Sequence, residues 1–524
     1  MDWINVAVLI AYLLIMIGFG VWGKRRIATS SDYLVAGRNL GGILYTGTMA
    51  AVVLGGAAAV GGVGLGYQYG ISGMWLVISI GIGVGLLCTM FAPIIQRLRI
   101  FTVSQMLTLR YGSEITQASS VVMLAYTLMI AATSTGAYAA VFAVLFGWDR
   151  WLAVLVGGSV VLIYATVGGM WSITLADMAQ FILMTIGTFG LMLPISLHHA
   201  GGWEGLSQRL DAEFFDIGGM GLQSIITYFV VYTLGLLIGQ DIWQRVFTAR
   251  TPRIAQIGGL SAGVYCILFG IVGAIIGMGA AVVLPGIEVR DDVYARVALD
   301  MLPVGLGGLA LTAGVAAMMS TASGGLIAAA TVMQSDVMPL LRSIAAGKRP
   351  NHLSPIDIAH IADEAAAHTE VAEQDVEFNR RWVLGLGAVV MVIALVVPDV
   401  VAALTIAYDI LVGGLLVPIV GGLMWKRGTG MGATSAMVAG SVGTMLTMGY
   451  LEITAEQRFD GIFANEPIYV GLVLSLVVFV GVSLAGAPTD RAVMDAWQRR
   501  SRGERVNYAE LSKQYSQIPA EARR

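Results

Sequence analysis

Residues 43–66 read ILYTGTMAAVVLGGAAAVGGVGLG, and no other stretch constrains the fold as tightly. The run is long enough to span a bilayer, for which roughly 20 apolar residues suffice. Yet Gly55-Gly56 stands in its middle, and four more glycines follow. Each glycine weakens a helix by about 1 kcal/mol relative to alanine. A simple anchor gains nothing from that weakness. A spanning helix that breaks to present backbone to a solute does. Unpaired amides and carbonyls are tolerated at that depth only where they line a cavity. A glycine-interrupted span therefore points to a solute-binding site.

Composition narrows the class. The chain is 57% hydrophobic and 12% charged, against about 25% charged in an average soluble protein, so it is a membrane protein. A net charge of −3 gives no reason to expect a nucleic-acid partner. Cys88 and Cys266 lie in apolar runs, which is neither a disulfide framework nor a metal motif. The five histidines (His198, His199, His352, His360 and His368) all fall in polar loops, so no intramembrane cluster is poised to hold a catalytic metal. No nucleophile–base pair lies within the spans, and the chain is not expected to be an enzyme. No G-x-x-x-x-G-K-[ST] sequence is present, which argues against direct coupling to ATP. The N-terminal apolar run is not expected to be a cleavable signal: Asp2 precedes it and Lys24-Arg25-Arg26 follows it, the reverse of a secretory charge order.

Hydropathy gives an all-α polytopic protein with about thirteen spans: 4–22, 43–66, 72–95, 117–146, 151–168, 173–196, 221–247, 256–284, 304–338, 382–398, 401–425, 431–451 and 467–486. Alternating loops then separate the basic residues. Arg150, Arg209, Arg290, Arg296 and Arg458 fall on one side, and the other 25 of the 30 on the opposite side. The positive-inside rule makes the rich side cytoplasmic, with the N-terminus outside and the C-terminus inside. The expected location is the cell inner (plasma) membrane. Loops 197–220 and 285–303 are expected to cap an outer vestibule. Within the inner loop 341–381, Ser354-Pro355-Ile356-Asp357 reads as a helix start. His360, Asp363, Glu364 and His368 have metal-ligand spacing there, although a plain amphipathic surface helix explains them as well. The charged tail 487–524 is expected to be solvated.

Four segments carry a resemblance. Ser31-Asp32-Tyr33-Leu34-Val35-Ala36-Gly37-Arg38 precedes the broken span. Gly168-Gly169-Met170-Trp171 leads to Thr174, Asp177 and Gln180. Gly239-Gln240 runs through Gln244-Arg245 to Arg250, and Gly422-Leu423-Met424-Trp425-Lys426-Arg427 is followed by Gly432-Ala433. In order and spacing, over about residues 4–486, they resemble the sodium:solute symporter family. The resemblance implies the LeuT-type inverted-repeat core, in which five helices repeat upside down as five more. The chain then divides into an extra N-terminal helix and loop (1–42), a first repeat (43–196), a second repeat (221–427), two C-terminal helices (428–486) and the tail (487–524). Segments two and seven start on opposite faces, as an inverted pair requires.

The resemblance also implies a sodium site and a small-molecule substrate, with no organic cofactor. Ala316 to Gly325 is similar to the family's hydroxyl-bearing helix. By that match Ser320 and Thr321 offer hydroxyl oxygens and Ala317 a carbonyl, and the broken helix adds carbonyls from Ala51 and Leu54. Sodium is a hard cation that takes oxygen ligands, and a helix break frees carbonyls. The plainer reading is that small and hydroxyl residues pack helix against helix. Asp177 is placed on an inward sodium exit route, and the plainer reading is an acid beside a positive helix end.

Substrate contacts in the family come from the breaks and the helices facing them. Where sugar-carrying members have polar residues, this chain has Val53, Gly55, Ala57 and Ala58. Their gate tyrosine falls on Gly235 and the adjacent tryptophan on Leu236. A sugar needs many fixed hydrogen-bond partners, so these departures argue against one. Gly55-Gly56 can instead offer bare amides to a carboxylate, or can simply allow close packing. Asp409 lies about 12 Å into its span at 1.5 Å per residue, with Thr405 one turn away on the same face. Thr405 aligns with a substrate contact of sugar carriers. A carboxylate at that depth pairs with a substrate ammonium, carries a proton, binds a second cation, or merely orders the bundle through Tyr408, Tyr232 or water. The expected function is sodium-coupled import of a small organic solute, an amino-acid-like zwitterion or small monocarboxylate rather than a sugar. The rivals are a proton-coupled carrier using Asp409 and a transporter-like sensor. The short tail argues against the sensor.

Overall fold

A chain this apolar must satisfy its backbone internally once it leaves water, and helices do so within one segment. The computed structural model describes residues 3–112, 116–345, 372–396, 400–456, 460–489, 491–504 and 506. Among these, one isolated bridge between Leu40 and Ala249 is the only β pairing. The long elements used below are α1 (Trp3–Lys24), α2 (Gly42–Val53), α3 (Gly56–Tyr69), α4 (Trp75–Leu86), α5 (Thr116–Phe146), α6 (Arg150–Thr185), α7 (Gln240–Thr248), α8 (Pro252–Val283), α9 (Leu306–Val332), α10 (Ala372–Val396), α11 (Val400–Met424), α12 (Gly430–Thr454) and α13 (Glu466–Ala485).

By length and composition, ten helical stretches among the described residues can cross a membrane, or eleven if the bent pair Leu222–Leu236 and α7 is one span. The expected thirteen differ because continuous stretches hide turns. Arg150–Ala200 runs for 51 residues. That is roughly 77 Å of helix, more than twice a bilayer core. It breaks at Gly169, whose φ of 48° only glycine adopts readily. A Cβ there would stand 2.6 Å from the Tyr33 carbonyl oxygen. Ala58–Arg97 likewise passes through a tight turn at Gly70–Met74.

The first three sequence motifs meet one another across the fold, and the fourth meets Arg110. The Tyr33 hydroxyl donates to the carbonyls of Ala165 (3.2 Å) and Thr166 (3.0 Å), just before the Gly169 break. Ser172 Oγ donates to the carbonyls of Tyr164 (2.6 Å) and Gly169 (2.9 Å), satisfying backbone that the break leaves open. Gln244 Nε2 donates to the Leu34 carbonyl at 2.8 Å, and Arg110 to the carbonyls of Gly422 (3.0 Å) and Trp425 (2.8 Å).

Helix α9 is the centre of the bundle. Every residue from Ala310 to Val332 is buried. Its alanines, glycines, serines and threonines let α5, α6 and α1 approach closely. The two C-terminal helices α12 and α13 pack on each other and on α11.

The structure bears on three segments outside the spans. No residue of loop 197–220 lines the central cavity. Its Ile217 carbonyl accepts from Ser72 Oγ (2.9 Å) and Trp75 Nε1 (2.8 Å), and so seals the Gly70–Met74 turn. Loop 285–303 does reach the cavity wall, through Arg290, Asp291, Asp292 and Arg296. The tail is not wholly solvated: Arg491–Ser501 is a helix that buries Trp497, and Arg500 Nε donates to the Leu98 carbonyl at 2.8 Å. The 354–357 helix start and the His360, Asp363, Glu364 and His368 set lie outside the described residues.

Candidate ion and substrate site

The helix of the opening stretch does break where its glycines predict. Helix α2 ends at Val53, Leu54 leaves helical geometry (φ −90°, ψ 54°), and α3 resumes after Gly55 (φ −67°, ψ −170°). Helix α9 lies against that gap. A Cβ on Gly55 would meet Thr321 Oγ1 at 2.6 Å, so only glycine permits this approach. Thr321 Oγ1 donates to the Val52 carbonyl at 2.9 Å and the Ala317 carbonyl at 3.4 Å. The structure thus brings Ala317 and Thr321 to the segment that holds Ala51 and Leu54. Oxygen is the chemistry on offer there: a hydroxyl, and carbonyls that a broken ladder no longer uses.

Ser320, one residue earlier, gives its hydroxyl hydrogen bond to Asp177: its Oγ donates to Asp177 Oδ1 at 2.6 Å. Arg245 Nη2 sits 3.1 Å from Asp177 Oδ2, which also accepts from the Thr48 hydroxyl. Neither charged side chain has any solvent exposure. A buried pair survives only with good geometry and further hydrogen bonds, and Thr48 and Ser320 supply them. Asp177 therefore ties α6 to α2, α7 and α9 at once. Gln180, one turn on, faces away: its Nε2 donates to the Tyr12 hydroxyl of α1 at 2.8 Å.

A cavity of about 1250 Å³ opens beside the break. Of the expected substrate residues, Val53, Gly55, Gly56, Ala58, Tyr232, Thr405 and Asp409 line it, and so does Thr321. Ala51, Leu54, Ala317 and Ser320 are buried and do not line it. The side chain of Ala57 lies outside what the structure describes. Gly235 does not line the cavity either. A Cβ on it would fall 2.8 Å from Tyr408 Cδ1, so the ring of Tyr408 from α11 occupies that space. A tyrosine is thus present near the second break, but another helix supplies it.

Asp409 is 2% exposed and lines the cavity. The hydrogen bonds to Tyr408 or Tyr232 that the bland sequence reading allowed are not formed. Among the described residues no hydrogen-bond or ion-pair partner reaches its carboxylate. Asp241 is the residue that sequence reasoning missed. It lies in the first turn of α7, past the 48° bend, is 2% exposed and lines the same cavity. Its Oδ1 accepts from the Tyr126 hydroxyl at 3.1 Å. The signal was available: an acid inside an apolar span, directly after Gly239-Gln240, is expensive enough to be functional.

Comparison with known proteins gives the family and the fold. The Escherichia coli (strain K12) sodium/pantothenate symporter is 24% identical over 507 residues, covering 93% of this chain and 97% of that protein. The Staphylococcus aureus (strain JH9) sodium/proline symporter is 23% identical over 504 residues, covering 92% and 93%. A Na+-coupled sialic acid symporter, solved in a substrate-bound outward-open state, superposes with a TM-score of 0.75 at 17% identity, covering 93% of this chain and 98% of that one. That likeness shows the fold, an all-helical LeuT-type membrane architecture. A sequence model described as "Sodium:solute symporter family" matches residues 33–351. The chain therefore belongs to the sodium:solute symporter family.

Proposed function

We propose that this protein is a secondary active symporter that uses an inward sodium gradient to import a small organic solute by alternating access. The observation that carries the reading is the meeting of α9 with the first helix break at the edge of the cavity. Sodium is held by the carbonyls of Ala51, Leu54 and Ala317 and the hydroxyls of Ser320 and Thr321. Asp177 stands on the inward sodium route. The chain threads the membrane thirteen times, as one helix, then two inverted sets of five, then two more, with the N-terminus outside and the C-terminus in the cytoplasm. The solute sits between the two breaks. An amino-acid-like zwitterion or a small monocarboxylate suits this pocket better than a sugar, because Val53, Gly55, Gly56 and Ala58 offer its wall no side-chain hydrogen bonds.

Uptake into proteoliposomes tests the reading, with labelled amino acids, monocarboxylates and sugars, and with and without an inward Na+ gradient. Sodium-driven accumulation of one class is expected, and Ser320→Ala with Thr321→Ala should weaken its sodium dependence. Accumulation driven by a proton gradient alone, and lost in Asp409→Asn, would move the coupling to Asp409. A sugar as the best substrate would overturn the reading of Val53, Gly55 and Ala58.

A further inference from the structure

The symport reading leaves the solute's charge open, and the cavity floor bears on it. The cationic side chains that line the cavity are Arg150, Arg290 and Arg296. All three belong to exposed positions at its mouth, and Arg290 and Arg296 have acidic neighbours, Asp291 at 3.4 Å and Asp300 at 3.2 Å. At depth the charges are of one sign. Asp241 and Asp409 both line the floor, each 2% exposed. The buried cation nearby, Arg245, is bonded to Asp177 and does not line the cavity. An anion entering this floor meets two carboxylates and no free positive side chain among the described residues.

Aromatic rings complete the floor. Tyr408 meets Tyr232 edge-on at 5.6 Å between centroids and Tyr126 edge-on at 5.5 Å. Tyr408 and Tyr232 line the cavity. Thr405, Tyr408 and Asp409, at i, i+3 and i+4 of α11, present one face to it. Asp241 already accepts from Tyr126, whereas Asp409 has no partner among the described residues. A buried carboxylate without a partner is costly, and a cation removes that cost. A small hard ion such as Na+ prefers a shell of oxygens. Ring faces beside one carboxylate suit a larger, weakly hydrated nitrogen cation.

We propose that Asp409, with Tyr232 and Tyr408, seats the positively charged nitrogen of the transported solute, so that the substrates are ammonium-bearing zwitterions or cations rather than simple carboxylates or sugars. This rests on the symport reading above and narrows it. Asp409 supplies the counter-charge. The tyrosines supply ring faces and set the size of the seat. Any carboxylate of the solute turns toward the Gly55-Gly56 break and the sodium ion.

The test uses the purified full chain in nanodiscs and reads thermal unfolding in saturating Na+. The ammonium probes are proline, glycine betaine, choline and 4-aminobutyrate. The controls are 3,3-dimethylbutyrate (glycine betaine with carbon in place of nitrogen), lactate and glucose. At least one ammonium probe should raise the unfolding temperature, and the controls should not. Asp409→Asn should weaken that probe about 100-fold, as loss of one partner of a buried charge pair does. Tyr408→Leu should weaken it about tenfold and Tyr408→Phe hardly at all, as a ring-face contact requires. All three variants should keep the shift that sodium alone produces. Stabilisation by the carbon isostere, lactate or glucose equal to that by the ammonium probes would overturn the proposal. So would no response to any ammonium probe while the sodium shift persists, or undiminished affinity in Asp409→Asn. Should Asp409→Asn not fold, the isostere pair on the wild-type protein decides alone. A wild-type protein blind to sodium sinks the symport reading instead.

Discussion

Asp177 and Asp409 are both carboxylates buried among helices, and they live in opposite circumstances. Asp177 is enclosed by Arg245, Ser320 and Thr48, and its interactions hold four helices together. Asp409 lines an open cavity and touches no partner among the described residues. The protein completes the first carboxylate itself. It leaves the second for something that arrives. Burial alone therefore does not identify a ligand-binding acid. The useful distinction is whether the fold has already used the acid's hydrogen-bonding capacity.

That contrast can be broken by measurement. Asp177→Asn strands the Arg245 guanidinium in a dry interior, and such a loss typically destabilises by about 3–5 kcal/mol. Denaturant unfolding of the detergent-solubilised protein should show it, and the double variant Asp177→Asn with Arg245→Gln should recover part. A cost below about 1 kcal/mol would remove the distinction. Gly55→Leu drives a side chain into Thr321, so overpacking of about 1–3 kcal/mol and background-level uptake are expected. Normal uptake by that variant would free the break from any binding role. Ser320→Ala with Thr321→Ala should raise the half-saturating sodium concentration at least about tenfold, equivalent to about 1.4 kcal/mol. Asp409→Asn should change stability least, by under about 1 kcal/mol and in the stabilising direction, because no partner is orphaned and a desolvated charge is removed. A large destabilisation there would mean that Asp409 orders the bundle.

Much of the architecture was legible in the chain because its signals are local. A glycine pair inside an apolar run predicts a broken helix, and α2 does end at Val53. The apolar stretches were already separated at Gly169 (151–168, 173–196) and before the Gly70–Met74 turn (43–66, 72–95), but hydropathy does not say whether the chain there bends sharply or runs on as one long helical stretch. The packing of loop 197–220 was likewise out of reach of the sequence. Its polarity says that it meets water, but not that Ile217 anchors it to Ser72 and Trp75. Asp241 was overlooked because it sits inside a recognised motif. Its exposure to the cavity follows from a 48° bend and not from its neighbours in sequence.

By itself, then, the sequence determined the solvent this chain folds in, its helices, where one of them breaks, and which polar groups are too costly to be accidental. Those properties follow from periodicity, glycine content and the energy of polar groups in hydrocarbon, all of them short-range. Only the tertiary structure decided which acid is satisfied and which is open. It put Arg245 on Asp177 across 68 positions of chain, placed Tyr408 in the space beside Gly235, and left Asp409 facing the cavity alone. Partnering of buried groups depends on packing between distant helices, and no local pattern records it.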